Sequence, residues 1–431
     1  MSTFADTLAG RVPSAGDLAG ARERVLSDLA GCQQTAAFHG EGDVAAHTAL
    51  ALTVLEGRLA QDPLGVGPWG SRIARLATLL HDVGKPATTV EVTPGRFASR
   101  GHEDVGAQVV NTLFATDPAL TDLPLGVWPA VHAAVRQHMW VWGPDDVPPG
   151  AWLRSSHLVD PAVLTAVWDA DARGRVADDA ARLRDQVDYA VLAVEEAGAG
   201  SGDAWGVLSA AVDVAALDPG VRRQVFRRVT AGEVMTAGHA ASDVAAAERA
   251  SRPALTYTIG LPGAGKSTWA RQVWARQTGG TVLSARGARR KDRADAAAAV
   301  RAAIPGLLGA GTPVCVDATH ATRLSRDRLL RLATRYNADV HAVLLRPRLE
   351  LSLARQATRP PADEVPAGAV RLMLEGLRFP TPDEYGSLTV VEPDGRWWRY
   401  GDQTRWLPVD AAVRSAGGGP QDPGPWSGGR S

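Results

Sequence analysis

Cysteine is nearly missing from this chain of 431 residues, which holds only Cys32 and Cys315, far apart and in apolar contexts. So few thiols exclude a disulfide framework and read as buried groups in a reducing compartment. Zinc-knuckle spacing is lacking as well. No run reaches the roughly 20 apolar residues that a membrane-spanning helix needs, so no membrane partner is expected. The opening MSTFADTLAG has no basic start followed by an apolar stretch, and a cytoplasmic protein is the expectation. Neither sign of charge is in excess: 46 Lys and Arg against 47 Asp and Glu leave a formal net charge of -1. That balance excludes a uniformly basic coat for nucleic acid and leaves any polynucleotide a local groove.

What is present is enough apolar residue, 45%, to bury about two or three cores. From about Asp43 to Arg175 the apolar residues recur at spacings of three and four, with Gly and Pro between the runs, as in an all-helical domain. A glycine-rich break at Gly198 to Gly206 then interrupts a further Ala-rich helical stretch that ends near Ser251. From Thr256 the period changes to the short runs TYTI, VCV and HAVLL, each followed by a helical segment, the signature of a parallel α/β sheet. A short strand is expected at Leu388 to Val391, before a Trp-rich stretch and a Gly/Pro-rich tail from Gly417 that reads as disordered. The expected fold class is an all-α domain followed by an α/β P-loop domain with a parallel sheet. The expected boundaries are 1–175 for the helical domain, 176–251 for a helical bridge, 252–392 for the P-loop domain with its lid, and 393–431 for the Trp-rich segment and tail.

In the first domain several helices aim chemistry inward. His81 and Asp82 end a helix whose apolar face runs Ile73, Leu76, Ala77 and Leu80, and His47 shares a face with Val44, Leu50, Ala51 and Val54. His39 precedes that helix, His102 opens another, His138 follows Val131, Ala134 and Val135, and Asp171 lies behind Val167 and Trp168. One histidine on an apolar face is usually a satisfied core residue. Several with buried carboxylates are better explained by a metal, because an unpaired buried carboxylate is costly. Imidazole and carboxylate without thiolate suit manganese, nickel, cobalt or zinc.

HGEGDVAAHT, LLHDVGKPATT, RGHEDVGA, RQHM and DADARGR together resemble the HD phosphohydrolase superfamily, above all the HD modules attached to bacterial tRNA nucleotidyltransferases, over about Phe38 to Arg175. The resemblance implies metal ligands at His47, His81, Asp82 and Asp171, with His39, His102 and His138 for a second ion or for substrate phosphate. Asp169 is the rival of Asp171, on a less apolar face. Two metals would clamp the attacking and leaving oxygens of a phosphoester. Lys85 and Arg175 would supply positive charge to the phosphate. The nucleotidyltransferase catalytic domain is absent from the sequence, so that activity does not carry over.

In the last third, TYTIGLPGAGKSTWARQV sets a β run, a Gly-rich turn and a helix in the order a P-loop requires. Gly260, Gly263, Ala264 and Gly265 form the loop that turns backbone N–H groups toward phosphate, Lys266 reaches the β and γ oxygens, and Ser267 or Thr268 serves magnesium. Asp317, at the end of VCVD, fits the carboxylate that holds the magnesium of Mg-ATP. GLPGAGKST, VDATHATR, RQATRPP and FPTPDEY resemble the polynucleotide kinase family over about Ala254 to Val391. That resemblance implies lid arginines at Arg355 and Arg359, and a substrate 3′-phosphate contact at Arg289. Two positions depart from it. Arg286 stands where an aspartate base for the 5′-hydroxyl is expected, with Asp292 and Asp295 as stand-ins that no spacing supports. His320 stands where Asn is usual.

An HD module followed by a kinase module is similar to the bacterial HD-Pnk end-healing enzymes, which implies RNA or DNA ends and ATP as partners and a separate ligase as the next enzyme. Two other readings stand beside it: a hydrolase of mononucleotides or signalling nucleotides whose kinase-like part senses ATP, and a nucleotide-driven switch without catalysis.

Overall fold

A computed structural model describes residues 19–61, 69–200, 203–248, 252–285, 292–361 and 363–400. They divide into two compact units, one running to Ala204 and the other starting at Trp205.

The first unit is helix-rich. In chain order its helices are α1 Ala19–Leu29, α2 Val44–Gln61, α3 Gly70–Leu80, α4 Lys85–Thr88, α5 His102–Thr116, α6 Pro118–Thr121, α7 Val127–Gln137, α8 Pro149–Ser156, α9 Pro161–Arg173 and α10 Ala180–Glu196. Helices α2, α3 and α9 pack on one another, α3 also packs on α7, and α7 carries α5 on its far side. Leu55, Leu80, Phe114, Trp128 and Trp168 are fully buried between them. Asp-Pro pairs start helices here by a common device. Asp160 accepts from the Ala162 N–H at the head of α9, and Asp117 accepts from the Ala119 N–H before α6, with proline at the first helical position each time. A small hairpin departs from the helical expectation. β1 Val90–Thr93 and β2 Arg96–Ala98 pair antiparallel about the Pro94–Gly95 turn, where Gly95 has φ 73°. Its strands are too short and exposed to show a buried stripe. Cys315 is buried, but Cys32 is only half-buried, 3.5 Å from the Thr89 hydroxyl.

The stretch 176–251 does not stand as a bridge of its own; the units share it. α10 packs on α9, and Gln186 donates to the Val141 carbonyl. Beyond the break, α11 Pro219–Thr230 and α12 Ala237–Glu248 pack together, and the buried Arg223 donates to the Ala338 carbonyl ahead of the sheet.

The second unit is built on a sheet of order β4-β5-β3-β6-β7-β8. The first five strands run parallel: β3 Ala254–Ile259, β4 Thr281–Leu283, β5 Val314–Val316, β6 Asp339–Leu345 and β7 Ser387–Val391. Strand β8 Trp397–Tyr400 adds antiparallel to β7, so the start of the Trp-rich segment belongs to the sheet. Its helices are α13 Lys266–Trp269 and α14 Ala275–Thr278, joined by a π turn, then α15 Arg293–Gly309, α16 Arg323–Arg335, α17 Leu349–Ala357 and α18 Ala367–Glu375. Strand order reverses at β3, and the crevice beyond the carboxyl end of such a strand is where open α/β sheets bind ligands. The tail from Gly417 lies outside the described residues.

Candidate functional site

Local packing brings the first unit's histidines together. Asp43 caps α2 by accepting from the Ala46 N–H and also accepts from the Gly31 N–H, which sets His47 one turn into the helix and fully buried. His81 is the C-cap of α3 and His138 that of α7. Gly84 lets the His81–Asp82 corner meet the head of α5: a Cβ there would lie 2.1 Å from the His102 carbonyl oxygen and 2.6 Å from the Gly106 nitrogen. Gly174 does the same for α9 against α2, where a Cβ would stand 2.8 Å from the Ala51 backbone. Gly84→Ala is therefore expected to cost about 3 kcal/mol, the upper end for overpacking. Thermal unfolding followed by circular dichroism tests this, and an unchanged midpoint would mean that the corner tolerates a methyl group.

The side chains meet in two buried triads, His47, His81 and Asp171, and Asp82, His102 and His138, whose candidate ligand atoms lie within 4.8 Å of one another inside each. Asp82 links them: Oδ2 is 3.2 Å from His81 Nε2 and Oδ1 is 3.2 Å from His102 Nε2. His47 Nε2 is 3.0 Å from Asp171 Oδ1. His81, His102 and His138 each donate Nδ1–H to a backbone carbonyl three residues earlier, at 2.7 Å, so every Nε2 is turned toward the carboxylates. Two consequences bear on a metal. His102 Nε2 and His138 Nε2 face each other at 3.0 Å, and such a pair needs a cation, either a proton or a metal ion. His81 Nε2 is buried 3.2 Å from Asp82 Oδ2 without a well-aligned hydrogen bond, and Asp82 Oδ2 is paired with Lys85 Nζ at 2.7 Å. Both fit a divalent ion held by imidazole and carboxylate.

Charge is concentrated here. Burial favours a neutral Asp82, yet the charges of His81 and Lys85 hold its carboxyl well below the usual range. Burial likewise opposes ionisation of Asp171, and Arg175 and His47 keep its pKa low. His47 is raised against its burial by hydrogen bonds to Asp171 and Glu41, while burial drives His138 down to about 3, leaving it neutral. Lys85 Nζ sits 2.7 Å from Asp82, and Arg175 grips Asp171 through three contacts of 3.0–3.1 Å while its guanidinium lies 4.6 Å from the Trp142 ring centroid. Both line a cleft of about 410 Å³ together with His39, Asp82, His102 and His138. Asp169 falls outside the cluster, paired at the surface with Arg173 and Arg58. Glu41 is the participant that sequence reasoning missed. It accepts from Nδ1 of His39 at 2.8 Å and from Nδ1 of His47 at 2.9 Å, and also from the Val176 N–H.

The second unit forms its cleft, about 670 Å³, around the P-loop. Gly260, Gly263 and Gly265 hold φ of 153°, 91° and 106°, and a Cβ at Gly263 would come 2.6 Å from the Ser352 carbonyl. Ala264 sits between them. Lys266 Nζ donates to the Gly260 and Leu261 carbonyls at 2.9 and 2.8 Å. Ser267, Thr268 and Asp317 line the same cleft, and Ser284 donates to the Asp317 carboxylate at 3.2 Å. Arg355 and Arg359 line it from α17 and just beyond, and Arg355 donates to the Gly263 carbonyl at 3.2 Å. Behind it, Arg326 is buried against Glu384 and donates to the carbonyls of His320, Ala321 and Arg378, while Arg323 pairs with Asp383 and Glu384. The acids of FPTPDEY thus anchor α16 and the loop before it. His320 has φ 40°, a left-handed conformation that Asn, Asp and His adopt more readily than other non-glycine residues, and it donates Nδ1–H to the Thr258 carbonyl. Arg286 and Arg289 lie outside the described residues. Asp292 and Asp295 are exposed at the head of α15, and neither lines the cleft.

The second unit is a P-loop nucleotide-binding, kinase-like fold, joined on one chain to a helix-rich unit with a buried His/Asp cluster. Residues 255–380 match the family model of an AAA domain. A Multifunctional CCA protein of Halorhodospira halophila (strain DSM 244 / SL1) is 41% identical over 91 residues, which cover 20% of this chain and 19% of that protein. The match thus spans about a fifth of that relative's length.

Proposed function

We propose that this protein is a bifunctional end-healing enzyme for RNA or DNA. The His/Asp cleft removes a 2′,3′-cyclic or 2′ phosphate, and the P-loop cleft passes the γ-phosphate of ATP to a 5′-hydroxyl, leaving ends that a separate ligase seals. The first cleft carries the reading: seven histidine and aspartate side chains cluster in and behind it, His39, Asp82, His102 and His138 line it, the buried His81 Nε2 makes no well-aligned hydrogen bond, and Lys85 and Arg175 stand beside them. His47, His81, Asp171, Asp82, His102 and His138 would hold manganese, nickel, cobalt or zinc, which supplies Lewis acidity and an activated water. Lys85 and Arg175 bind the phosphate oxygens. In the other cleft Lys266, Arg355 and Arg359 offset charge on the transferred group, and Ser267 and Asp317 hold magnesium. The 91 residues similar to the Multifunctional CCA protein of Halorhodospira halophila support this reading. The test is incubation with labelled oligonucleotides bearing 5′-hydroxyl and 2′,3′-cyclic phosphate ends, with manganese or nickel, with and without ATP. Intact ends under every condition would refute the reading.

The rival, a nucleotide hydrolase with an ATP-sensing second unit, draws on Arg286 and on the exposed placement of Asp292 and Asp295. If Arg286 occupies the base position, Arg286→Asp is expected to raise 5′-kinase turnover by up to about a hundredfold, the usual worth of a general base. Steady-state kinase assays decide this, and a slower mutant would assign the base to another carboxylate.

A further inference from the structure

We infer that the His/Asp cleft is shaped for a nucleoside phosphate and not for a bare phosphate, with Phe38 and Phe97 as the wall against which the terminal base stacks. The inference rests on the phosphoesterase reading above and names what its cleft recognises beyond phosphate. The cleft is lined by Lys85 and Arg175 beside the cluster, and by residues of the loop 33–38 and of strand β2. Phe38 projects there 55% exposed, beside His39, and Phe97 is half-buried. Scattered exposed aromatics are ordinary, but these two share one cleft with the cations, and the segments that carry them are tied together. The Thr35 hydroxyl donates to the Phe97 carbonyl at 3.1 Å and accepts from the Phe97 N–H at 2.9 Å, stitching the loop that carries one ring to the strand that carries the other.

A second observation points the same way. Gln34 Oε1 accepts from Lys85 Nζ at 2.8 Å, which leaves Gln34 Nε2 buried in the cleft wall without a hydrogen-bond partner. A donor held there suits a phosphate or ribose oxygen. The cleft's volume is also in the range of small-molecule sites. Cations for phosphate, an amide donor for the sugar side and aromatic faces for a base make up the complement of one nucleotide, and nothing in that set selects a base sequence.

The test uses the full chain with manganese and compares the wild type with Phe38→Ala and Phe38→Trp. KM for uridine 2′,3′-cyclic phosphate is expected to rise about tenfold in Phe38→Ala, the usual worth of one stacked base, with kcat unchanged and near-wild-type KM in Phe38→Trp. The inhibition constant of inorganic phosphate should not move. Calorimetric binding of uridine 2′-monophosphate should weaken by the same factor. An unchanged KM, or a KM and a phosphate constant that rise together, would overturn the inference. If the wild type hydrolyses no cyclic substrate, the phosphoesterase reading fails, and the calorimetric comparison of uridine 2′-monophosphate with inorganic phosphate still decides the role of Phe38: a loss for both ligands or for neither sinks it.

Discussion

Alanine at Asp82 is expected to abolish hydrolysis of a 2′,3′-cyclic end while ATP binding persists. Asp82 bridges the two triads through its carboxylate, reaching His81 with one oxygen and His102 with the other, and it also holds Lys85. Losing it removes a candidate ligand and frees a lysine to move. An outer-shell partner of a metal is worth about ten- to a hundredfold, so loss of a direct ligand should exceed a hundredfold. His81→Ala should do the same, since it removes the candidate ligand atom that faces Asp82 Oδ2 at 3.2 Å. The measurement is initial-rate hydrolysis beside calorimetric ATP titration. Breaking a buried charge cluster also destabilises, so Asp82→Asn, which keeps the shape, should lose activity with a smaller drop in melting temperature. Equal loss of hydrolysis and ATP binding in a folded variant would defeat the division into two sites.

The second large effect is expected at Lys266. Lys266→Ala should lower ATP-dependent phosphorylation of 5′-hydroxyl ends by about a hundred- to a thousandfold, the range for removing one preorganised donor from developing charge. Metal-dependent hydrolysis should be spared. The two activities are assayed on one doubly end-labelled oligonucleotide. Hydrolysis that falls along with phosphorylation, or that demands ATP in the wild type, would favour a nucleotide-driven switch.

The helical half was readable because its candidate ligands ride on apolar stripes. His81, His102 and His138 stand where such stripes begin or end, and the structure puts each at a helix boundary with its Nδ1 tied to a carbonyl. Their grouping was not readable. The expected set paired Asp82 with His47, His81 and Asp171, whereas the structure gives it equally to His102 and His138, because two oxygens of one carboxylate can face different neighbours. Glu41 sits in a loop with no period, so nothing in the sequence tied it to His47 six residues on. The P-loop was legible as a motif set between a strand and a helix. Strand β4 has three half-buried residues and β8 forms only by pairing with β7, so neither announces itself in hydrophobic pattern. Left-handed backbone at His320 was also hidden, since a substitution of Asn shows a changed side chain and not the conformation that the position imposes.

Lys266 bears on the thermodynamics of nucleotide binding. A free lysine side chain carries about 2 kcal/mol of rotamer entropy, and a flexible cation must surrender it when an anion arrives. Here the ammonium is already fixed by two carbonyls of its own loop. The ordering cost is met when the chain folds, and an incoming phosphate meets a charge already in place.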